Sequence, residues 1–187
     1  MKRILILLAV TAASAQVGRY HNPATGIEFT LPAGWSVVKT TPTSDNGDTV
    51  TLMDAVSKRE AAVWMRAEKH PTLRTQDGQI PKLLLAALDA KAASRTNLTG
   101  YQVRSDSIQP RVIGGQQALS AVADYTQNGH PMVEYLTWIF SPKAHALFYG
   151  RAPAASLDAF RARLDEVVVS YQLSVISQEK PPQAAHH

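Results

Sequence analysis

The sequence predicts an α+β fold: an antiparallel sheet of about six to eight strands flanked by two main helices. Three observations predict it. Apolar and polar residues alternate at the period of a half-buried strand in two separate blocks of the chain. Between and after these blocks the period changes to the i, i+3, i+4 spacing of a helix face. Asn128-Gly129 is a strong hairpin signal, because both residues accept the positive φ that a type I′ turn requires. Strand blocks separated by helices favour α+β over the alternating units of doubly wound folds. No internal repeat of fixed period is visible.

The first residues stand apart from the fold. Lys2 and Arg3 precede an unbroken apolar run at 4–10, and Ala13-Ser14-Ala15 gives the small-residue pattern of a signal-peptidase site. Residues 1–15 are expected to be a signal peptide cleaved between Ala15 and Gln16. The run is far shorter than the ~20 apolar residues of a membrane span. No Cys follows it to carry a lipid anchor. The expected location is the periplasm or the extracellular space, with no transmembrane or lipid anchor in the mature chain. Residues 16–175 are expected to form one domain, and 176–187 a disordered tail.

In the mature chain, Ile27, Phe29 and Leu31 alternate with Glu28 and Thr30 as a strand. Pro32-Ala33-Gly34 breaks it, and Trp35 opens the next segment. The stretch 41–48 is polar and turn-forming, so it reads as an exposed loop. Residues 49–56 look like a strand, Lys58-Arg59-Glu60 like a charged turn, and 61–68 like a strand with Trp64, Arg66 and Glu68 on one face. A second polar loop, 70–78, leads to Asp77 as a helix cap. Ile80, Leu83, Leu84, Ala87, Leu88, Lys91 and Ala92 then form a helix face, with Arg95 away from it and the end expected near 97–100. Strand character returns over 101–109, then 118–127, 132–140 and 144–150. The strand at 132–140 is apolar on both faces and reads as central and covered on each side. Leu157, Phe160, Leu164, Val167, Val168 and Tyr171 form the second helix face.

Composition excludes several classes. The chain of 187 residues is 45% hydrophobic and 18% charged, which is ordinary for a folded domain. The absence of Cys excludes disulfide scaffolds, Cys-ligated metal modules and thiol catalysis. The formal net charge is +4, and removal of 1–15 takes away two cations and no anions. The cations are scattered along the sequence, where a nucleic-acid binder concentrates them, so no nucleic-acid partner is expected.

The segment from Tyr20 through Gly26-Ile27-Glu28-Phe29-Thr30-Leu31-Pro32-Ala33-Gly34-Trp35 resembles the opening hairpin of the PsbP-like superfamily. Gly114-Gly115-Gln116-Gln117-Ala118, the Asn128-Gly129 hairpin and the final helix ending in Ser170-Tyr171 look similar too. That superfamily includes the extrinsic oxygen-evolving protein of photosystem II, a eukaryotic Ran-binding import factor and many small exported bacterial proteins. The resemblance implies an α/β/α sandwich around an antiparallel sheet. It implies action through binding other macromolecules and carries over no catalytic or metal-binding residue.

Motifs for chemistry are absent. There is no G-x-S-x-G, H-E-x-x-H, P-loop or G-x-G-x-x-G. His21, His70, His130 and His145 read as surface residues. Asp45 and Asp48 flank Asn46-Gly47 and loosely resemble calcium-loop chemistry, but the distal Glu of an EF-hand is missing. Arg66 and Arg104 are possible ion-pair partners for Asp124 and Glu134. Trp35 fits a structural role, whereas Trp64 reads as a surface aromatic. The two polar loops, with Asp45, Asn46, Asp48, His70, Arg74 and Asp77, are the expected recognition sites, because loops on a rigid sheet carry binding. The expected function is therefore an exported, non-enzymatic accessory or protein-binding domain with no cofactor. Its partner is expected to be another envelope or extracellular protein. The alternatives are a small-ligand-binding module, or a hydrolase with an unrecognised site.

Overall fold

A computed structural model of the chain describes residues 18–43, 47–67 and 79–174. The proposed signal peptide, its Ala15–Gln16 cleavage position and the tail lie outside the described residues. The elements run β1 (Gly18–Asn22), β2 (Ile27–Leu31), β3 (Trp35–Pro42), β4 (Asp48–Asp54), β5 (Arg59–Ala67) and α1 (Gln79–Ala93). They continue through β6 (Thr99–Val103), β7 (Gln109–Ile113), β8 (Gln116–Gln127), β9 (His130–Phe140), β10 (Ala144–Pro153), α2 (Leu157–Val168) and β11 (Gln172–Leu173). The result is α+β. An eight-stranded antiparallel sheet has the order β3-β4-β5-β10-β9-β8-β6, with β7 also paired to β8. A small sheet, β1-β2-β11, stands beside it.

The Asn128-Gly129 turn forms as expected, with φ of 51° and 77°. It joins β8 and β9, which pair from Gln127–His130 back to Gln117–Phe140. β9 is interior and buried on both faces, as its two apolar faces require. One face of the sheet gives Val50, Leu52, Val63, Met65, Val133, Tyr135, Ile139 and Phe148 to a core shared with β2 and α2. The alternate residues Leu119, Ala121, Leu136, Phe140 and Leu147 form a second core with Leu84 and Leu88 of α1. The strand period of two sends successive side chains to opposite sides, so each strand serves both cores.

Four local expectations are corrected. The loop expected at 41–48 is shorter: β3 reaches Pro42, β4 begins at Asp48, and the Thr43 N–H donates to the Gly47 carbonyl at 2.8 Å to close the hairpin. Arg59 and Glu60 belong to β5. The preceding turn is built by Asp54, whose carboxylate accepts the N–H groups of Val56 and Ser57, with Lys58 at a φ of 54°. α1 stops at Ala93, where the Ser94 hydroxyl donates to the Lys91 carbonyl at 2.7 Å. The strand expected at 101–109 is two strands. Ser107 Oγ accepts the Val122 N–H at 2.9 Å in place of a ladder partner, which lets the chain turn between β6 and β7.

α1 packs on β8 and β9. A helix is ~10 Å wide and strands lie ~4.8 Å apart, so one helix roofs about two strands. On this side the strip along β5 and β10 is left partly open: Leu147 is buried against the α1 core, while Trp64 and Tyr149 are half-buried.

Candidate functional site

The open strip is built by register. β5 and β10 pair Trp64 with Leu147 and Ala62 with Tyr149. β10 and β9 pair Leu147 with Trp138 and Arg151 with Glu134. All these side chains fall on the α1 side by alternation. The last turn of α1 adds Lys91, and Arg95 follows just beyond the helix end.

Glu134 is the centre of the charged part. Its side chain is fully buried. Arg95 grips it with two donors, Nη2 to Oε1 at 2.7 Å and Nε to Oε2 at 3.3 Å. Arg151 Nε donates to Oε1 at 3.2 Å, and the Tyr101 hydroxyl donates to Oε2 at 2.6 Å. Burial, then the bond to Glu134, pushes the Tyr101 hydroxyl well above the ordinary tyrosine range. Tyr149 meets two cations: Lys91 Nζ is 4.3 Å and the Arg95 guanidinium carbon 5.4 Å from its ring centre. Burial, with Arg95 and Arg151 close by, lowers the Lys91 ammonium from 10.5 to about 8.

Two clefts meet at Tyr149. One, of about 420 Å³, is lined by Trp64, Trp138, Leu147, Arg66 and Lys91. The Trp64 and Trp138 rings are 5.9 Å apart, and the Arg66 guanidinium carbon is 5.6 Å from the Trp64 ring. The other cleft, of about 550 Å³, is lined by Thr51, Lys58, Arg59, Arg95 and Arg151. Both volumes are in the range of small-ligand pockets, ~300–1,000 Å³. The arrangement presents fixed cations and flat aromatic surface side by side.

The chain matches no family model and no curated protein. Solved structures do match. The solution structure of cyanobacterial PsbP (CyanoP) from Synechocystis sp. PCC 6803 superimposes with a TM-score of 0.60 at 15% identity, over 88% of this chain and 96% of that one. The fold is PsbP-like. LpqN, involved in cell envelope biogenesis of Mycobacterium tuberculosis, matches with a TM-score of 0.50 at 14% identity, over 86% of this chain and 91% of that one. A structure from Bacteroides thetaiotaomicron matches at 0.55 and 10% identity, over 87% of this chain but only 50% of its own. No described helix is long and apolar enough to cross a membrane.

Within this PsbP-like fold the sequence-selected residues scatter. Trp64 lies on the open strip. Asp48 begins β4 away from it, accepting hydrogen bonds from the Tyr20 hydroxyl and from Asn22 Nδ2, the latter at 2.6 Å. It thereby ties β1 to the main sheet. Asp45, Asn46, His70, Arg74 and Asp77 lie outside the described residues. His145 is buried, 4.3 Å from the Phe140 ring centre, which corrects its surface reading. Trp35 is buried, as a structural role requires. Among the described residues, no group of three or more His, Asp or Glu can hold a metal ion.

Of the two arginines the sequence offered to Asp124 and Glu134, Arg104 pairs with Asp124 at 2.6 Å, while the partners of Glu134 were missed. Arg95 was expected away from the helix face, yet it turns back onto the sheet. The signals were present. The turn after Phe140 sets Phe140 opposite His145, and six pairs further along Glu134 meets Arg151. Lys91 and Arg95 are four residues apart, one helical turn.

Proposed function

We propose that this is an exported accessory protein that acts by binding another protein of the envelope or extracellular space and performs no catalysis. The observation that carries the reading is the strip beside α1, where Trp64 and Tyr149 are bordered by Arg66, Lys91, Arg95 and Arg151. A rigid sheet holding half-buried aromatic rings and arginines has the residue types that dominate binding energy at protein interfaces. The likeness to CyanoP and to LpqN supports an accessory role outside the cytoplasm. The pattern of residues 1–15 supports export, with Gln16 as the mature N-terminus. We read the two cores on opposite sheet faces as the α/β/α sandwich, and residues 16–175 as one domain. The loops carrying Asp45, Asn46 and Asp48, and His70, Arg74 and Asp77, are proposed as further recognition sites.

A photo-crosslinking residue in place of Trp64, expressed in the native host, tests this. The expected result is a stoichiometric crosslink to one envelope protein. No crosslink, together with a ligand-dependent rise in melting temperature, overturns the reading. It then favours the small-ligand module, for which the 420 Å³ cleft walled by Trp64 is the specific observation. Sequencing the mature N-terminus checks export separately; a start at Met1 contradicts it.

A further inference from the structure

We propose that the strip beside α1 binds an acidic peptide segment of its protein partner. A carboxylate side chain docks among Lys91, Arg95 and Arg151, and an adjacent apolar side chain lies against Trp64 and Trp138. The inference deepens the binding reading above and rests on it.

The charge balance is the first support. The two clefts bring Lys58, Arg66, Lys91, Arg95 and Arg151 together with Glu60 and the buried Glu134. Five cations against two carboxylates leave a local surplus of three positive charges. The helix dipole explains two of them, because Lys91 and Arg95 sit at the C-terminal end of α1, where positive charge is favoured. It explains none of the other three, which come from β5, β10 and the turn before β5.

The second support is preorganisation. Glu134 takes Arg95 through two donors but Arg151 through Nε alone, at 3.2 Å. One buried carboxylate fixes two guanidiniums without neutralising both. Arg151 keeps 36% of its side-chain surface exposed, so its terminal nitrogens can meet an incoming anion. A guanidinium matches the two oxygens of a carboxylate with a planar fork of donors. Burial, then the nearby Arg95 and Arg151, disfavours the Lys91 ammonium, and an anion placed there favours it.

The third support is that charge and aromatic surface are contiguous. Tyr149 lines both clefts. A small inorganic anion would use only the cationic cleft and leave Trp64 and Trp138 idle. A peptide carries charged and apolar groups on one chain and engages both. A nucleic acid would need phosphates tracked along an extended basic groove, whereas Lys91, Arg95 and Arg151 converge around the buried Glu134 at the end of α1.

The test uses the mature protein and a short fluorescein-labelled peptide alternating Glu with Ala around a central Phe. Its counterpart carries Gln for Glu. Competitors are inorganic phosphate and a short single-stranded oligonucleotide. Lys91→Glu and Arg66→Glu leave the partners of Glu134 in place, and circular dichroism checks that both fold. Trp64→Ala tests the aromatic cleft. The expected result is saturable, salt-sensitive anisotropy with the Glu peptide and none with the Gln peptide. Each charge reversal should weaken binding about tenfold or more. Equal binding of both peptides, equal binding by wild type and Lys91→Glu, or no binding by either peptide overturns the proposal. So does an oligonucleotide that displaces the peptide at lower concentration than phosphate does. A crosslink from position 64 that persists in the Lys91→Glu background discards the acidic segment and keeps the binding module. Loss of the crosslink in the unmodified background discards both.

Discussion

Glu134 is a fully buried ion-pair partner, flanked along β9 by Val133 and Tyr135, so its stability rests on its donors. Removing one partner of such a pair strands the other charge. Glu134→Gln keeps the shape and removes the charge, leaving Arg95 and Arg151 side by side without a counter-ion. The expected cost is about 3 kcal/mol, read from urea unfolding. Lys91 gives a pH signature. Its folded value of about 8 lies below its ordinary 10.5, so below pH 8 both states carry the proton and the folded state bears the cost. Between about 8 and 10.5 only the unfolded state binds it, and stability rises with pH. Tyr101 closes the window, because its hydroxyl is held protonated in the fold and stability falls again above 10. Lys91→Met should flatten the rise, by about 1 kcal/mol after allowance for partial exposure. A variant with the same slope as wild type would show that Lys91 does not feel its neighbours.

At the scale of elements, α2 is seated by a notch. A Cβ on Gly150 of β10 would lie 2.4 Å from the Phe160 Cζ and 3.3 Å from the Ala61 Cβ. Phe160 is buried, so its ring has nowhere to go. Gly150→Ala should destabilise by about 2 kcal/mol, and Phe160→Leu in the same chain should recover part of that. Thermal unfolding of the single and double variants decides it; additive losses would show that the ring is not what the notch receives. This notch was invisible in the sequence, because it depends on which helix residue lands over which strand residue. The elements themselves were legible. Ile27, Phe29 and Leu31 alternate and form β2, and Asn128-Gly129 makes the turn its chemistry demands. What failed were the ends, at Ser94 and Ser107. There a single hydroxyl satisfies a backbone group and diverts the chain, without altering hydrophobic period. The open strip was half legible. Trp64 was singled out from its polar neighbours, while Glu134, Arg95 and Arg151 converge only once the register is known.

For the molecule as a whole, the two cores are unequal. Among the described residues, twenty-four buried apolar residues form the core under α2 and seven the core under α1. Burial of each Leu or Phe side chain contributes ~1.5–3 kcal/mol, so α1 is held less firmly than α2. Native-state hydrogen exchange should find α1 amides opening at lower free energy than those of β9 and β10. Equal protection would mean that α1 opens only with the whole sheet. The binding strip borders the less firmly held helix, so a partner that touches Lys91 and Arg95 should slow exchange across α1.

The seam between β5 and β10 has a consequence in time. It joins Ala61 to Gly150 and Ala67 to Ala144, residues far apart in the chain. The strands on either side of it are mostly hairpins of near neighbours, which close quickly, whereas a closure of this length is entropically costly and slow. Until β10 has arrived, β5 is a bare edge with Trp64 and Met65 on its two faces, open to any other strand. The step that completes the sheet is therefore also the step that removes its most aggregation-prone edge, and the rate of that one closure sets how long a newly made chain stays at risk.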